Sequence, residues 1–318
     1  MKIFYEIKRN IKKILPNKIL YNYQLYKSNK RKKKTFLQIE SEINNQYKNI
    51  FKKSINWNNP KTYTEKLNVS KVYNPSKQKT ELTDKIIVRK WIERKLGKEY
   101  LVPIIGVYKN FDDISFNELP SKFVIKCNHD SGSVTVVNDK KNLNIRQLKE
   151  KYDYHIKQNF SLIGFEMHYK DIEPKIIIEE YLGDNINDYK FLCFNGKVYY
   201  CWIDFDRFSD HKRNMYDIKW NLQPFNQCNY ANSNEIIEKP KQFDEMLKIV
   251  EKLCKGFDHV RVDLYLIGEK IYFGEMTFTN GNGFKKIVPE EYDLTLGQLW
   301  DLKYNEVDKK GRPFYDKE

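Results

Sequence analysis

Two acidic residues in the C-terminal part of the chain are spaced so that they could bind a metal ion. The segment HVRVDLYLIGEKIYFGEMTFT has two β-rich runs around a Gly-Glu-Lys turn, which predicts a hairpin. If the turn has three residues, Asp263 lies opposite Glu275 and both carboxylates share a face. A two-residue turn would instead pair Asp263 with Gly274 and send the acids to opposite faces.

Two facing carboxylates about 5 Å apart repel each other unless a cation lies between them, and Mg²⁺ is the usual one. In the three-residue register Arg261 lies opposite Thr277 and could pair with either acid, so an ordinary charged sheet face is the alternative. The opposite face of the hairpin is apolar and suits packing on a core. It contains Val262, Leu264, Leu266, Tyr272, Met276 and Phe278.

A second candidate site follows the apolar run Phe123-Val124-Ile125. Lys126 ends this run, and CNHDSGS follows before a second β-rich run, Val134 to Val137. A lysine beside a Gly/Ser turn offers a point charge and backbone N–H groups, which suit nucleotide phosphates. The sequence has no Walker A motif, and a solvated lysine at a strand end is the alternative.

Two further segments could complete a nucleotide site. The run KIIIEEYL predicts a buried strand, and its end, Glu179 to Leu182, could join two lobes and offer main-chain groups to an adenine edge. Asp188 and Lys190 follow on the next predicted strand and share a face by alternation.

The elements that must position these residues are readable from apolar patterning. Short β-rich runs begin at Leu101, and Asn195-Gly196 predicts a tight hairpin because a type I′ turn needs positive φ at both positions. Helices are predicted in NPKTYTEKL, in LTDKIIVRKWIERKLG up to Gly97, in KNLNIRQLKEKYDYHIKQNF and in residues 241–255. Residues 207–240 are predicted to form a long polar loop.

Length and composition exclude several classes of protein. A chain of 318 residues and 38.5 kDa is long for one compact core and predicts lobes around a shared cleft. It has no apolar run long enough to span a membrane and no signal-peptide core, so we expect a cytoplasmic protein. Its five cysteines lack CxxC spacing, which predicts neither a disulfide framework nor structural zinc.

The positive charge is concentrated at the N-terminus. Residues 1–34 carry 11 of the 14 net positive charges, with Glu6 as their only acid. Ile3, Phe4, Ile7 and Ile11 recur at helical spacing, so the arm could lie on an anionic membrane, as a peripheral contact at the inner face. A solvated helix with a lysine tail is the alternative. Binding of the arm to nucleic acid is a weaker alternative, because no recognised nucleic-acid-binding module follows it.

The order of these motifs resembles a known family. The segments FVIKCNHDSGSVTVV, IIIEEYLGD, DYKFLCFNGK and RVDLYLIGEKIYFGEMTFTNGNGF resemble the ATP-grasp fold in order and spacing. With NPKTYTEKL and DFDRFSDHKRNMYD, the chain resembles the TupA-like ATP-grasp family of bacterial surface-polysaccharide loci, from about Asn59 to Leu302.

The resemblance implies an α+β fold with two lobes that enclose an ATP cleft, preceded by a basic helical extension. The implied division is residues 1–35 as a basic amphipathic arm, 36–122 as an N-terminal lobe, 123–182 as the small ATP-grasp lobe, and 183–318 as the C-terminal lobe with the metal site.

The resemblance also implies roles for individual residues. Those that would bind ATP are Lys126, His129, Ser131, Gly132, Ser133, Glu179, Glu180, Tyr181, Leu182, Asp188 and Lys190. Lys126 and Lys190 would contact phosphates, residues 129–133 would close over the triphosphate, and Asp188 would lie near the ribose. Mg²⁺ would be held by Asp263 and Glu275.

The second metal position departs from the family pattern. Many ATP-grasp enzymes have Asn two residues after the second acid, whereas this chain has Thr277, which leaves Asn280 as a substitute ligand. Arg261 would neutralise the anion that builds up during transfer. Arg207 and Arg213 are planar forks that could bind the acceptor, with surface arginines as the alternative.

The chemistry implied is ATP-dependent ligation of a carboxylate, on a sugar or polysaccharide precursor, to an amine. The alternative is a metal-dependent glycosyltransferase, because Asp204-Phe205-Asp206 resembles a DxD motif. That interpretation leaves Lys126 and the Asp263/Glu275 pair without a shared role. A third hypothesis is a non-catalytic membrane scaffold that uses residues 1–34.

Overall fold

The computed structural model describes residues 17–184, 186–205, 212–227 and 237–302. Its α-helices are α1 (Asn17–Arg31), α2 (Phe36–Phe51), α3 (Tyr63–Tyr73), α4 (Lys77–Thr83), α5 (Ile87–Lys95), α6 (Ile145–Ile156), α7 (Ser161–Gly164), α8 (Phe243–Cys254) and α9 (Glu291–Gln298). Within the described ranges, no helix is long and apolar enough to cross a membrane.

The strands begin after the first five helices, and two of them lie within residues 207–240, which were predicted to form a loop. They are β1 (Ile104–Tyr108), β2 (Phe123–Cys127), β3 (Thr135–Val137), β4 (Ile176–Glu180), β5 (Asn187–Phe194), β6 (Lys197–Phe205), β7 (Lys212–Asp217), β8 (Asn226–Gln227), β9 (His259–Ile267), β10 (Lys270–Thr277) and β11 (Ile287–Val288). This mixture of helices and mostly antiparallel strands confirms the predicted α+β class.

The chain forms two compact units that do not follow the predicted four-part division. The first contains residues 17–34, 103–163 and 169–181, and the second contains residues 35–102, 164–168 and 182–302. The predicted leading lobe, residues 36–122, is therefore shared by the two units. The chain passes from the first unit to the second between Tyr181 and Leu182, inside the segment predicted to join two lobes.

The first unit is built on a four-stranded antiparallel sheet in the order β1-β4-β2-β3. Along β2, Phe123, Ile125 and Cys127 are buried in a core with Tyr152 of α6. Because side chains alternate across a strand, Lys126 points to the opposite face. The predicted return of the chain from β2 into β3 is confirmed by their antiparallel pairing.

The second unit is built on a five-stranded antiparallel sheet in the order β10-β9-β5-β6-β7. One face packs on α8 through an apolar core that includes Phe191, Val262 and Met246. On the other face, the side chains at one end of the strands are aromatic and those at the other end are charged. At one end, Phe194 and Trp202 pack with aromatic residues of α3 and with Trp300 after α9, while the other end carries charges.

The last hairpin forms the predicted pairing of Asp263 with Glu275, but with a different turn. Its turn has two residues rather than three, since Lys270 pairs with Ile267. A β-bulge then inserts Gly274 between Phe273 and Glu275, so Asp263 pairs with Glu275 after all. The expectation that a two-residue turn would pair Asp263 with Gly274 was wrong, and the pairing of Asp263 with Glu275 is confirmed.

Gly274 fits this bulge because a side chain would not. A Cβ atom there would lie 3.0 Å from the carbonyl oxygen of Asp263 and 3.1 Å from the ring of Tyr265. The bulge also changes which residues face the core. Ile271 and Phe273 are buried there, whereas Tyr272, predicted on the apolar face, is only half-buried outside the core cluster.

The first hairpin confirms its predicted turn and also contains a bulge. Asn195 and Gly196 have φ of 49° and 73°, as a tight turn between β5 and β6 requires. Leu192 pairs with Tyr200 but Cys193 pairs with Val198, so one extra residue, at position 199, is inserted in β6. This shift brings later β6 side chains onto the face that carries Lys190.

A capped helix confirms the prediction for NPKTYTEKL. The Thr62 hydroxyl caps α3 and the Glu65 side chain accepts from the Thr62 backbone N–H, which forms a capping box. Asp293 of α9 accepts hydrogen bonds from the backbone N–H and the hydroxyl of Thr64, at 2.9 and 2.6 Å. Gly297 allows this close approach, because a Cβ there would lie 2.1 Å from the Lys61 carbonyl oxygen.

We expect Gly297→Ala to lower the free energy of unfolding by about 2 to 3 kcal/mol, since the added methyl must push α9 from the start of α3. Urea denaturation monitored by circular dichroism measures this change. Thr295→Ala, at an exposed position of the same helix, is the matched control and should stay within about 0.5 kcal/mol. Equal stability of the two variants would contradict this packing.

Candidate functional site

The polar end of the second unit's sheet is a continuous group of charged side chains, which we name the charged face. Its residues come from all five adjacent strands of the sheet. They are Asp188, Lys190, Asp204, Arg213, Arg261, Asp263 and Glu275. Acids and bases alternate across the strands, so each carboxylate lies beside at least one cation.

Arg261 holds the β9–β10 end of the charged face together. Its Nε and Nη2 atoms donate to the two Asp263 carboxylate oxygens at 2.7 and 2.6 Å. Nη2 also donates to Glu275 Oε1 at 2.9 Å and to Thr277 Oγ1 at 3.1 Å, while Nη1 donates to Asn280 Oδ1 at 2.7 Å. The two predicted metal ligands and the predicted substitute ligand therefore converge on one guanidinium group.

Lys190 connects the acids of the neighbouring strands. Its ammonium group donates to Asp188 and, at 3.0 Å, to Asp263 Oδ2, and it lies 3.9 Å from Asp204 Oδ2. The predicted shared face of Asp188 and Lys190 is confirmed. All four side chains are buried, so the ammonium group compensates carboxylates that water does not reach.

Arg213 anchors the far end of the charged face. Nε and Nη2 donate to the two Asp204 oxygens at 2.6 and 2.9 Å, and Nη1 donates to Gln227 Oε1 at 2.8 Å. The indole ring of Trp202 lies between the two arginines, 5.1 Å from the Arg213 guanidinium carbon and 5.7 Å from that of Arg261. Arg213 is thus a buried, bidentate side chain rather than a surface arginine.

Burial and charge shift the pKa values at this site in different directions. Burial raises the pKa of Asp263 above its ordinary value, although Arg261 and Lys190 oppose the shift. Burial alone would also raise the pKa of Glu275, but Arg261, Lys85 and Lys190 outweigh it and lower that pKa to about 2. The Asp263 side chain is 2% exposed, whereas that of Glu275 is 42% exposed.

The donor atoms around Arg261 suit a hard cation. The described residues contain no group of three or more His, Cys, Asp or Glu side chains arranged to hold a metal ion. However, Asp263 and Glu275 contact the same nitrogen atom of Arg261, and the amide oxygen of Asn280 lies beside them. Two carboxylates and an amide oxygen form the all-oxygen set that Mg²⁺ prefers, so these residues fit that ion chemically.

The first unit places its predicted phosphate-binding lysine beside a carboxylate. Lys126 Nζ lies 2.6 Å from Glu179 Oε2, and this ion pair joins β2 to β4 on the face opposite the unit's core. Glu180, next along β4, is exposed, and Tyr181 and Leu182 are half-buried. The roles of these residues in ATP binding stay predictions.

Buried hydrogen bonds fix two side chains of the loop that follows β2. His129 Nε2 donates to the carbonyl oxygens of His155 and Gln158, at 3.1 and 3.2 Å. The Ser133 hydroxyl donates to Asp130 at 2.6 Å and accepts from the Cys127 backbone N–H. Both side chains are buried, which fits a structural role for them.

Two predicted residues of this loop remain at the surface. Ser131 and Gly132 are exposed, and Gly132 has a φ of 100° that favours glycine. They are the residues of the predicted loop whose exposure suits contact with a ligand.

Sequence reasoning missed two polar partners in the second unit. Trp202 and Gln227 contact Arg213, yet neither carries a recognisable motif. Trp202 could have been found only by anticipating the bulge in β6, because a regular hairpin would have paired Lys190 with Cys201 instead. Lys190 pairs with Trp202 in the structure.

Some predicted residues lie outside the described ranges. Arg207, Asp206 and Cys228 are among them, as are residues 1–16 of the basic arm. Within the described part, the DxD-like element is represented by Asp204, whose carboxylate is held by Arg213. The described cysteines, Cys127, Cys193, Cys201 and Cys254, are buried and are not joined to one another in disulfide bonds.

The chain resembles solved structures of ATP-grasp ligases. D-alanine–D-alanine ligase from Bacillus anthracis matches with a TM-score of 0.36 and 19% identity, covering 69% of this chain and 64% of that one. L-amino acid ligase from Bacillus licheniformis matches with a TM-score of 0.39 and 13% identity, covering 64% of this chain and 42% of that one. N5-carboxyaminoimidazole synthetase from Staphylococcus aureus matches with a TM-score of 0.37 and 14% identity, covering 64% of this chain and 45% of that one.

These likenesses are too distant to carry an argument about function. The chain spans 42% to 64% of the lengths of these three structures. No curated protein shows detectable sequence similarity to it.

Family membership is clear from the sequence comparison. The family described as TupA-like ATPgrasp matches residues 65–301, about three quarters of the chain. The chain belongs to the TupA-like ATP-grasp family, which confirms the resemblance seen in its motifs. The match includes β2, β4 and the whole charged face.

The buried Asp204–Arg213 pair gives a direct test of the charged face. We expect Asp204→Asn to lower the free energy of unfolding by about 3 kcal/mol or more, because the variant leaves a buried guanidinium without its carboxylate. Chemical denaturation measures the loss. Asp244→Asn removes the exposed ion pair with Lys239 and is the control, with an expected effect below about 1 kcal/mol. A loss of similar size in both variants would contradict the geometry.

A buried histidine gives a pH-dependent test of the same unit. Burial and, less strongly, Lys79 lower the pKa of His168 from 6.5 to about 3, so as pH falls below 6.5 the unfolded chain takes up a proton that the folded chain does not. We expect wild type to lose up to about 1.4 kcal/mol per pH unit relative to His168→Phe.

Urea denaturation of both chains at pH 7 and pH 5 measures this difference. Glu166, whose pKa burial raises to about 7, titrates in both chains, so its contribution cancels in the comparison. A stability difference that stays constant between the two pH values would contradict a buried neutral His168.

Proposed function

We propose that the protein is an ATP-dependent ligase that activates a carboxylate as an acyl phosphate and joins it to an amine. Membership of the TupA-like ATP-grasp family supports this proposal. The observation that carries it is the convergence of Asp263, Glu275 and Asn280 on the guanidinium group of Arg261. Carboxylate and amide oxygens suit a hard divalent cation, and a guanidinium group suits phosphate oxygens.

Asp263, Glu275 and Asn280 would hold Mg²⁺ in this proposal. When bound, the ion would supply charge neutralisation for the phosphate oxygens of ATP. Asp263 is already tied to Lys190 and Arg261, so its orientation is fixed before any ligand arrives. Glu275 is oriented by the hydroxyl of Thr277, which donates to its Oε1 at 2.8 Å. Thr277 would therefore orient the metal ligand Glu275, whereas related enzymes have a metal ligand at the position of Thr277.

Cationic side chains and backbone groups would bind the nucleotide in this proposal. Lys126, with Ser131 and Gly132 in the following loop, would contact the phosphates, and Lys190 would contact them from the charged face. Residues 179–182 would hold adenine, and Asp188 would contact the ribose. His129 and Ser133 would support the loop through their buried hydrogen bonds rather than touch ATP.

The proposed reaction has two transfers. A carboxylate oxygen of the acceptor attacks the γ-phosphorus, the bond from that phosphorus to the β–γ bridging oxygen breaks, and ADP leaves. The amine nitrogen then attacks the acyl carbon, loses a proton, and displaces inorganic phosphate to give an amide. Arg261 would stabilise the negative charge that develops on the transferred group, because its guanidinium remains charged among the acids.

The acceptor in this proposal is a carboxylate-bearing sugar or polysaccharide precursor in the cytoplasm. The resemblance to ATP-grasp proteins of surface-polysaccharide loci supports this choice. Arg213 is the acceptor-binding residue proposed within the described chain, since Asp204 and Gln227 fix the plane of its guanidinium. Arg207 is proposed beside it from the sequence alone.

We expect Asp263→Asn and Glu275→Gln each to lower Mg²⁺-dependent ADP release by at least about a hundredfold, because each removes a carboxylate that would bind the ion. ADP release is measured with ATP, Mg²⁺ and a panel of acidic sugars and amino acids. Glu269→Gln, in the exposed turn of the same hairpin, is the matched control and should retain full turnover. Thermal unfolding verifies that each variant is folded.

Full turnover in either site variant would contradict the metal assignment. Release of a nucleoside diphosphate from a nucleotide sugar, with no turnover of ATP, would favour the glycosyltransferase alternative over the ligase.

We expect Lys126→Ala to weaken ATP binding by about tenfold or more, because the variant removes a point charge from the triphosphate. The thermal shift on adding ATP measures this loss. Lys141→Ala, an exposed lysine of the same unit, is the control and should keep the wild-type shift. An unchanged shift in Lys126→Ala would argue against a role in phosphate binding.

A further inference from the structure

One face of helix α1 packs against other parts of the first unit. Tyr21 stacks on Tyr154 of α6 with ring centroids 4.3 Å apart, and Gln24 accepts a hydrogen bond from the Tyr154 hydroxyl at 2.6 Å. Ser28 is buried, and Arg31 donates to the carbonyl oxygens of residues 162 and 163. These positions recur at helical spacing, so they fix the rotation of α1 about its axis.

The opposite face of α1 carries large side chains in solvent. Ile19, Tyr23 and Tyr26 are 50%, 60% and 58% exposed, and Lys30 follows them one turn later. The spacing i, i+4, i+7 and i+11 puts these four side chains on one stripe. The Lys30 ammonium group lies 4.6 Å from the Tyr26 ring centroid. We name this stripe the outer face of α1.

The charge around the outer face has a single sign. Lys18 and Lys27 flank the stripe on either side, and residues 31–34 that follow α1 are all Arg or Lys. No acidic residue occurs between positions 17 and 34. The surface is therefore complementary to an anionic partner, and within α1 no carboxylate neutralises it.

We propose that the outer face of α1 docks on an anionic membrane surface. Tyrosine and isoleucine suit the boundary between lipid headgroups and acyl chains, while flanking lysines pair with lipid phosphates. A continuous apolar and aromatic stripe favours lipid over nucleic acid, because base stacking needs rings presented along a groove that follows the nucleic acid backbone.

This proposal goes beyond the proposed ligase activity and does not depend on it. It also stands without residues 1–16, because the side chains that carry it lie within residues 18–34.

Sedimentation with lipid vesicles tests the proposal on the full-length chain. We expect binding to phosphatidylcholine vesicles that contain 30% phosphatidylglycerol, little binding to pure phosphatidylcholine, and loss of binding in high salt. Tyr23→Ser/Tyr26→Ser and Lys27→Ser/Lys30→Ser should each weaken binding by about tenfold or more. Their melting temperatures and ATP turnover should match wild type.

Matched control variants come from exposed positions of the second unit. Ile218→Ser/Leu222→Ser removes exposed apolar side chains, and Lys248→Ser/Lys252→Ser removes two exposed lysines of α8. Both should bind vesicles as wild type does. Vesicle binding that the α1 variants do not weaken, or binding of the chain to RNA but not to anionic vesicles, would overturn the proposal.

Discussion

Buried carboxylates on one face of a sheet repel each other unless cations lie between them, and the charged face depends on this constraint. Arg261 and Lys190 separate Asp263 from its neighbours, and Arg213 neutralises Asp204. Because these groups are buried, removing one partner leaves a charge that water cannot solvate. The arrangement is therefore fixed as a unit, and a ligand that enters it meets oriented groups rather than mobile ones.

Two β-bulges decide which side chains take part in this arrangement. Side chains alternate across a strand, so one inserted residue moves all later positions to the other face. The bulge at Gly274 brings Glu275 to the side of Asp263, and the bulge at position 199 brings Trp202 and Asp204 to the side of Lys190. Without either insertion, part of the charged face would point into the core beside α8.

The sequence predicted the elements better than it predicted their register. Both hairpins, the capped start of α3 and the shared face of Asp188 and Lys190 follow from local chemistry, namely turn residues, caps and alternation. Family membership was also predictable, because several separate motifs agreed. The pairing of Asp263 with Glu275 was predicted from a turn that the chain does not form.

The remaining features depend on packing that no local pattern encodes. The bulge at Gly274 depends on tertiary packing, since a Cβ atom there would lie 3.0 Å from the Asp263 carbonyl oxygen. The burial of His129 and Ser133 depends on hydrogen bonds to α6 and to Asp130, far from any motif for phosphate binding. The partition of residues 36–122 between two units likewise follows from tertiary contacts rather than composition.

In the proposed mechanism, acids of the charged face bind ATP through a divalent cation. Calorimetric titration of the wild-type chain with ATP, in Mg²⁺ and separately in excess EDTA, tests it most directly. We expect ATP to bind at least about tenfold more tightly in Mg²⁺, because Asp263 and Glu275 otherwise repel the triphosphate. Equal affinity in the two conditions would contradict the account.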